Sequence, residues 1–193
     1  MPSAFGVPTR SVNRYVAPPA MTLLATLTAS KSASLVYTGF DSLLYKIYFL
    51  LFRGLVPNDG ANSLIMTGST DGGANYDTLW YNSLTRNTGD GLGSFAGGTN
   101  PSAPTQTMNI IGGVSTISGF PVSANGTGYL SFGLPGTDDT AWYCDMLGFA
   151  GDRPLMQITK SYYRNTTPVN TLKWIFDTGT IKRGSILIFG VGG

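Results

Sequence analysis

The chain contains no glutamate. All ten of its acidic residues are Asp and only two Gln accompany them, whereas Thr and Ser reach 23 and 17 in 193 residues. The straight-chain residues that lose least freedom in a helix are therefore scarce. Thr, Val and Ile, which suit a pleated surface, are common, so the vocabulary favours strands and turns. Gly at 26 and Pro at 11 supply the punctuation between them. Hydrophobic residues make up 42% and charged residues 11%. That balance excludes a charge-rich disordered chain and provides for the core that one domain of this length buries.

The same count removes whole classes of chemistry. With no His, neither a Ser-His-Asp nor a Cys-His relay can be built, nor a zinc site resting on imidazole. Cys144 is the single thiol, flanked by Tyr143 and Asp145. It has no disulfide partner in its own chain and no adjacent cation to activate it, so it reads as a packing residue. The net charge is +2, with twelve basic residues scattered from Arg10 to Arg183. No basic stripe follows a phosphate backbone, which argues against nucleic acid as a partner. The longest uninterrupted apolar run is residues 47–52. No secretory signal and no membrane insertion are expected, and synthesis in the cytoplasm follows. The expectation is a protein that is not an enzyme and carries no cofactor and no metal.

Residues 1–22 contain Pro2, Pro8, Pro18 and Pro19 and show neither a period of 2 nor one of 3.6. They read as an extended N-terminal arm that cannot pack by itself. Its apolar Phe5, Val7, Tyr15 and Val16 favour docking onto other subunits over solvation. Residues 23–193 read as a single domain of strand-sized runs: 23–29, 32–40, 45–56, 62–69, 108–111, 128–134, 141–149, 156–163, 170–176 and 185–191. A long insertion rich in Gly, Ser, Thr and Pro spans 85–128. In the third run Tyr45, Ile47, Phe49 and Leu51 share one face, and Lys46, Tyr48, Leu50 and Phe52 the other. Both faces are nearly all apolar, so this strand is expected at the centre with both sides covered. The pattern predicts an all-β chain: an antiparallel β-sandwich, jelly-roll-like, with the arm outside it.

Ser69-Thr70-Asp71-Gly72-Gly73-Ala74-Asn75-Tyr76 fits the Asp-box pattern, Ser-x-Asp-x-Gly-x-x-aromatic. Physically it is a hairpin device. The carboxylate of Asp71 accepts from turn N–H groups, Gly72 and Gly73 supply left-handed backbone, and Tyr76 packs beneath. A calcium site using Asp71 and Asp77 is the alternative, although their spacing matches no EF-hand loop. Asp138, Asp139, Asp145 and Asp152 form the densest carboxylate group. Glycoside hydrolysis needs two carboxyls facing each other across a sugar. The adjacent Asp138 and Asp139, between Gly136 and Thr140, are better explained by a turn. The pairs Trp80-Tyr81 and Trp142-Tyr143 could stack on sugar rings, but in a strand one member of each pair must point into the core.

The stretch 27–81 also resembles a recurring module of bacteriophage virion proteins. The resemblance rests on a Thr28-Ala29-Ser30 lead-in, the Tyr45-Lys46-Ile47-Tyr48-Phe49 strand, the Pro57-Asn58-Asp59 loop and the Ser69 to Tyr76 hairpin. Residues 169–191 are similar to the ending of that module, with a strand, the turn Gly179-Thr180-Ile181-Lys182-Arg183-Gly184 and a last strand. The resemblance implies a non-enzymatic structural component of a virion, such as a tail fibre or appendage, a collar or adaptor, or a capsid decoration protein. It would assemble with copies of itself, as a trimer or larger, and with other virion proteins. The chain has neither a long fibre shaft nor heptads, which points toward collar, decoration or adaptor. A host-surface glycan-binding module of a tail fibre is the alternative.

Overall fold

The computed structural model describes residues 20–58, 60–76, 80–88, 108–115, 123–132, 140–150, 153–163, 165 and 167–192. Its strands are β1 (Met21–Ser32), β2 (Leu35–Tyr37), β3 (Ile47–Pro57), β4 (Ala61–Ser69), β5 (Trp80–Thr88) and β6 (Met108–Ser115). They continue with β7 (Ala124–Ser131), β8 (Thr140–Ala150), β9 (Arg153–Tyr163), β10 (Thr171–Phe176) and β11 (Ile181–Val191). There is no helix among the described residues. One sheet has seven strands in the order β1-β11-β3-β7-β8-β9-β5, and the other has four in the order β2-β10-β4-β6. Every pairing is antiparallel. The chain crosses between the sheets at most connections and stays in one only along the β7-β8-β9 meander. The fold is therefore the antiparallel, jelly-roll-like sandwich expected from the composition.

The core is made by the inward half of each strand's alternation. Tyr48, Leu50 and Phe52 of β3, Trp142, Cys144 and Met146 of β8, and Ile186 and Ile188 of β11 face the second sheet. They meet Leu64 and Met66 of β4 and Leu172, Trp174 and Phe176 of β10, all of them buried. The rings of Phe52 and Trp174 meet edge to face at 6.3 Å between centroids and join the two layers directly. On β7 the inward positions Ala124, Gly126 and Gly128 are small, while Leu130 fills the core beyond them. A Cβ at Gly128 would lie 2.7 Å from Cη2 of Trp142 and 3.3 Å from Cε2 of Phe52, so the missing side chain makes room for both rings.

Three details differ from the sequence reading. β3 is central in its sheet, between β11 and β7, but only one of its faces is covered. Ile47 is 41% exposed, and Phe49 and Leu51 are half-buried, because the second sheet lies against one side of the seven-stranded sheet alone. β1 begins at Met21, which puts Met21 and Thr22 in the sandwich rather than in the arm. Within the span 85–128 the structure holds the end of β5, all of β6 and the start of β7, and residues 89–107 and 116–122 lie outside the described residues. The two ends of the described chain meet at one corner, where Met21 pairs with Val191 and the Gly192 N–H donates to the Ala20 carbonyl at 3.1 Å.

The two faces of β3 should respond differently to truncation. Phe52→Ala opens a hole between the sheets and should cost about 3–5 kcal/mol in denaturant melts. Phe49→Ala removes a ring already touching solvent and should cost less than half as much. Equal losses at the two positions would contradict this assignment of faces.

Candidate functional site

Two regions bring chemistry-bearing side chains together. The first is the turn after β4. Asp71 N–H and Gly73 N–H donate to Ser69 Oγ at 3.2 and 3.0 Å, and the Ser69 hydroxyl donates to Asp71 Oδ1 at 2.7 Å. Asn75 N–H reaches Asp71 Oδ1 at 2.9 Å and its Nδ2 reaches Oδ2 at 2.7 Å. Both carboxylate oxygens are thus engaged by the turn itself. Gly72 and Gly73 have φ of 76° and 91°, a region that a side chain disfavours. The Asn75 N–H first, then the Ser69 hydroxyl and the Asn75 amide, hold the Asp71 carboxyl down at about 2. Tyr76 is half-buried, with Lys173 Nζ 3.9 Å from the centroid of its ring.

Asn170, just before β10, fastens this turn to the rest of the sandwich. Its Oδ1 accepts from Gly72 N–H at 3.0 Å and its Nδ2 donates to the Thr70 carbonyl at 2.8 Å. Its carbonyl accepts from Phe40 N–H at 3.3 Å. Beside it lies a shallow groove of about 550 Å³ between residues 38–44 and 167–170. One wall is a turn braced by Asp41, whose Oδ1 accepts from Leu43 N–H at 2.8 Å and whose carbonyl accepts from the Tyr48 hydroxyl at 3.0 Å. That turn presents Leu43 and Leu44 to solvent. Sequence reasoning missed Asn170, because its partners are 98 and 100 residues away.

The second region is the outer face of the seven-stranded sheet. Strand register places Leu23 opposite Phe189, Phe189 opposite Phe49, Phe49 opposite Tyr129, Tyr129 opposite Tyr143 and Tyr143 opposite Lys160. One row of side chains therefore runs across six strands. Its ring centroids are 5.9 Å apart for Phe189–Phe49, 5.1 Å for Phe49–Tyr129 and 6.3 Å for Tyr129–Tyr143. Lys160 Nζ caps the row 5.8 Å from the Tyr143 centroid. These spacings suit tilted aromatic pairs and a cation over a ring face. The flanking row on one side adds Met21, Ile47 and Tyr162; on the other side runs a row of Leu187, Leu51, Thr127, Asp145 and Ile158, with Leu147 and Met156 in the row beyond it. Of the eleven exposed large apolar residues described, eight lie on this face. Scattered exposed apolar residues are ordinary, whereas their concentration on one face singles that face out as a candidate interaction surface.

The sequence-selected aromatics divide between these environments. Trp142 is 2% exposed and packs between the sheets, so it is corrected from a glycan contact to a core residue. Tyr143 falls on the outer face. The signal that separates them is parity: Asp145 shares a face with Tyr143, and Cys144 with Trp142. Trp80 and Tyr81 form the start of β5 opposite Tyr163 and Tyr162, and their side chains lie outside the described residues. So do Phe5, Val7, Tyr15 and Val16 of the arm, together with Asp77, Asp138, Asp139 and Asp152. Cys144 is buried, and burial pushes its thiol up to about 12. It carries no thiolate at neutral pH. Among the described residues no three Asp or Cys side chains gather as metal ligands would. No protein-family model matches the chain, and neither a curated protein nor a solved structure matches it.

Because folding lowers the carboxyl of Asp71, its contribution to stability is complete above its ordinary value of 3.8 and is lost as pH falls toward 2. Carbon-detected titration should place its midpoint near 2, and Ser69→Ala should raise that midpoint. Asp71→Asn keeps an accepting oxygen and should melt close to the parent, whereas Asp71→Ala should melt lower. Added calcium should move neither curve, and a calcium-dependent rise in the parent that Asp71→Asn abolishes would make this turn a metal site. Asn170→Ala removes two hydrogen bonds to the turn, one of them exposed to water, and should cost about 0.5–1.5 kcal/mol for each.

Proposed function

We propose that this protein is a non-enzymatic structural component of a bacteriophage particle, built into a tail appendage, collar, adaptor or capsid decoration through its sandwich surface and its N-terminal arm. The observation that carries the reading is the continuous apolar and aromatic outer face, with Phe189, Phe49, Tyr129 and Tyr143 in one row. A face of that composition gains by being covered, at about 25 cal/mol for each Å² of apolar surface removed from water. Repeated packing against other copies and other particle proteins would cover it. Three further features support the reading. The chain has no His for nucleophilic relays. The Asp71 carboxylate is consumed in bracing a turn. Residues 27–81 and 169–191 resemble virion modules in the order of their motifs.

A host-surface glycan-binding role is the second reading, favoured by the outward position of Tyr129, 43% exposed, beside Tyr143. Ring faces of that kind stack on the apolar faces of sugars. The two readings separate by experiment. Mass spectrometry of density-banded virus particles from the culture that makes this chain should find it at a fixed ratio to the major coat protein. Finding it only in the particle-free soluble fraction overturns the structural reading. Saturable binding on a glycan array that Tyr129→Ala abolishes would establish the second.

A further inference from the structure

We propose that the outer-face row is the dock for residues 1–19 of a neighbouring copy of this chain, so that subunits are linked by exchanged arms. The inference rests on the structural reading above and names the contact through which assembly proceeds.

Three observations choose this occupant. The described chain begins at Ala20, and Met21 is already on the outer face, beside Val191 and Ile47 and one row from the aromatic stripe. The described chain therefore enters the seven-stranded sheet at the corner where the stripe begins, one row from Leu23. Their chemistry also matches the surface. Phe5, Val7, Tyr15 and Val16 supply apolar and aromatic groups, and Arg10 and Arg14 are the only charges the segment carries among its side chains. Length is sufficient as well. A row across six strands spans five gaps of about 4.8 Å, roughly 24 Å, which seven or eight extended residues cover at about 3.3 Å each.

A neighbour's sheet is favoured over the chain's own by the geometry of the exit. The Gly192 N–H bond to the Ala20 carbonyl keeps the chain in line with β11 past Met21, directing it out of the sheet at its end. Folding back over its own stripe would need a reversal at once, where Pro18 and Pro19 stand. Each proline fixes its own φ and biases the residue before it toward extended backbone, which opposes a tight reversal there.

The test uses the full chain. With Tyr15→p-benzoylphenylalanine in place, irradiation should give a species of dimer mass on a denaturing gel, its cross-links mapping to peptides that contain Phe49, Tyr129, Tyr143 or Phe189. Tyr129→Lys, a change at an exposed position, should leave the circular dichroism spectrum intact and reduce that species by about tenfold, the loss expected for removing a central aromatic anchor. Cross-links that stay at monomer mass would show the arm lying on its own sheet and overturn the exchange. Cross-links to the groove beside Asn170 or to the edge of β1, or none at all, would overturn the dock. Particle composition is read separately. The chain found in particles without these cross-links refutes this inference alone, and cross-links from a chain absent from particles refute the virion reading alone.

Discussion

A missing side chain at Gly128 lets the two sheets meet. Its hydrogen faces the indole of Trp142 and the ring of Phe52, and even a methyl group there would stand 2.7 Å from the indole. Phe52 in turn touches Trp174 of the opposite sheet. Three aromatic residues from β3, β8 and β10 thus share space that a β-branched residue on β7 would close. Interiors packed near crystal density transmit such intrusions rather than absorb them. The fit of Trp142 and Phe52 over β7, and through Phe52 the contact with Trp174, depends on that missing side chain.

From the placement of β3 follows the character of the outer face. Strand alternation puts Tyr48, Leu50 and Phe52 in the core and therefore puts Ile47, Phe49 and Leu51 outside. The same parity on β7 and β8 turns Tyr129 and Tyr143 outward once Gly128 and Trp142 point in. The aromatic row is thus a necessary companion of the core, set by the same register. Its tilted ring pairs are worth about 0.5–1.5 kcal/mol each beyond their buried area, which favours one arrangement of the row.

Much of this architecture was legible in the amino-acid sequence, for reasons that particular residues make plain. The scarcity of helix formers and the short apolar runs announced strands, and the Ser69 to Tyr76 pattern announced its turn by local chemistry alone. The reading of β3 as covered on both sides illustrates the limit. An apolar run looks the same whether its second face meets a layer of the same chain or lies open, because periodicity reports a preference for burial without naming what buries it. Trp142 shows a finer limit: adjacency to Tyr143 requires opposite faces, but choosing the inner one needed the parity of Cys144 and Asp145. Asn170 and the outer row were beyond reach for a different reason. Both depend on register between segments far apart in the chain, and no local pattern encodes it.

The corner where Ala20 and Gly192 meet has a mechanical consequence. Both ends of the described chain leave the sheet side by side, with β1 and β11 running antiparallel away from them. Tension applied between the two ends would not load the ladder of hydrogen bonds all at once. It would open the Gly192–Ala20 bond, then the Met21–Val191 pair, then Leu23–Phe189, like a zipper drawn from its free end. A chain held at both ends would yield under low force by letting out the length of β1. In doing so it would carry Leu23, the first residue of the row, away from Phe189 while β3, β7 and β8 behind it stayed paired.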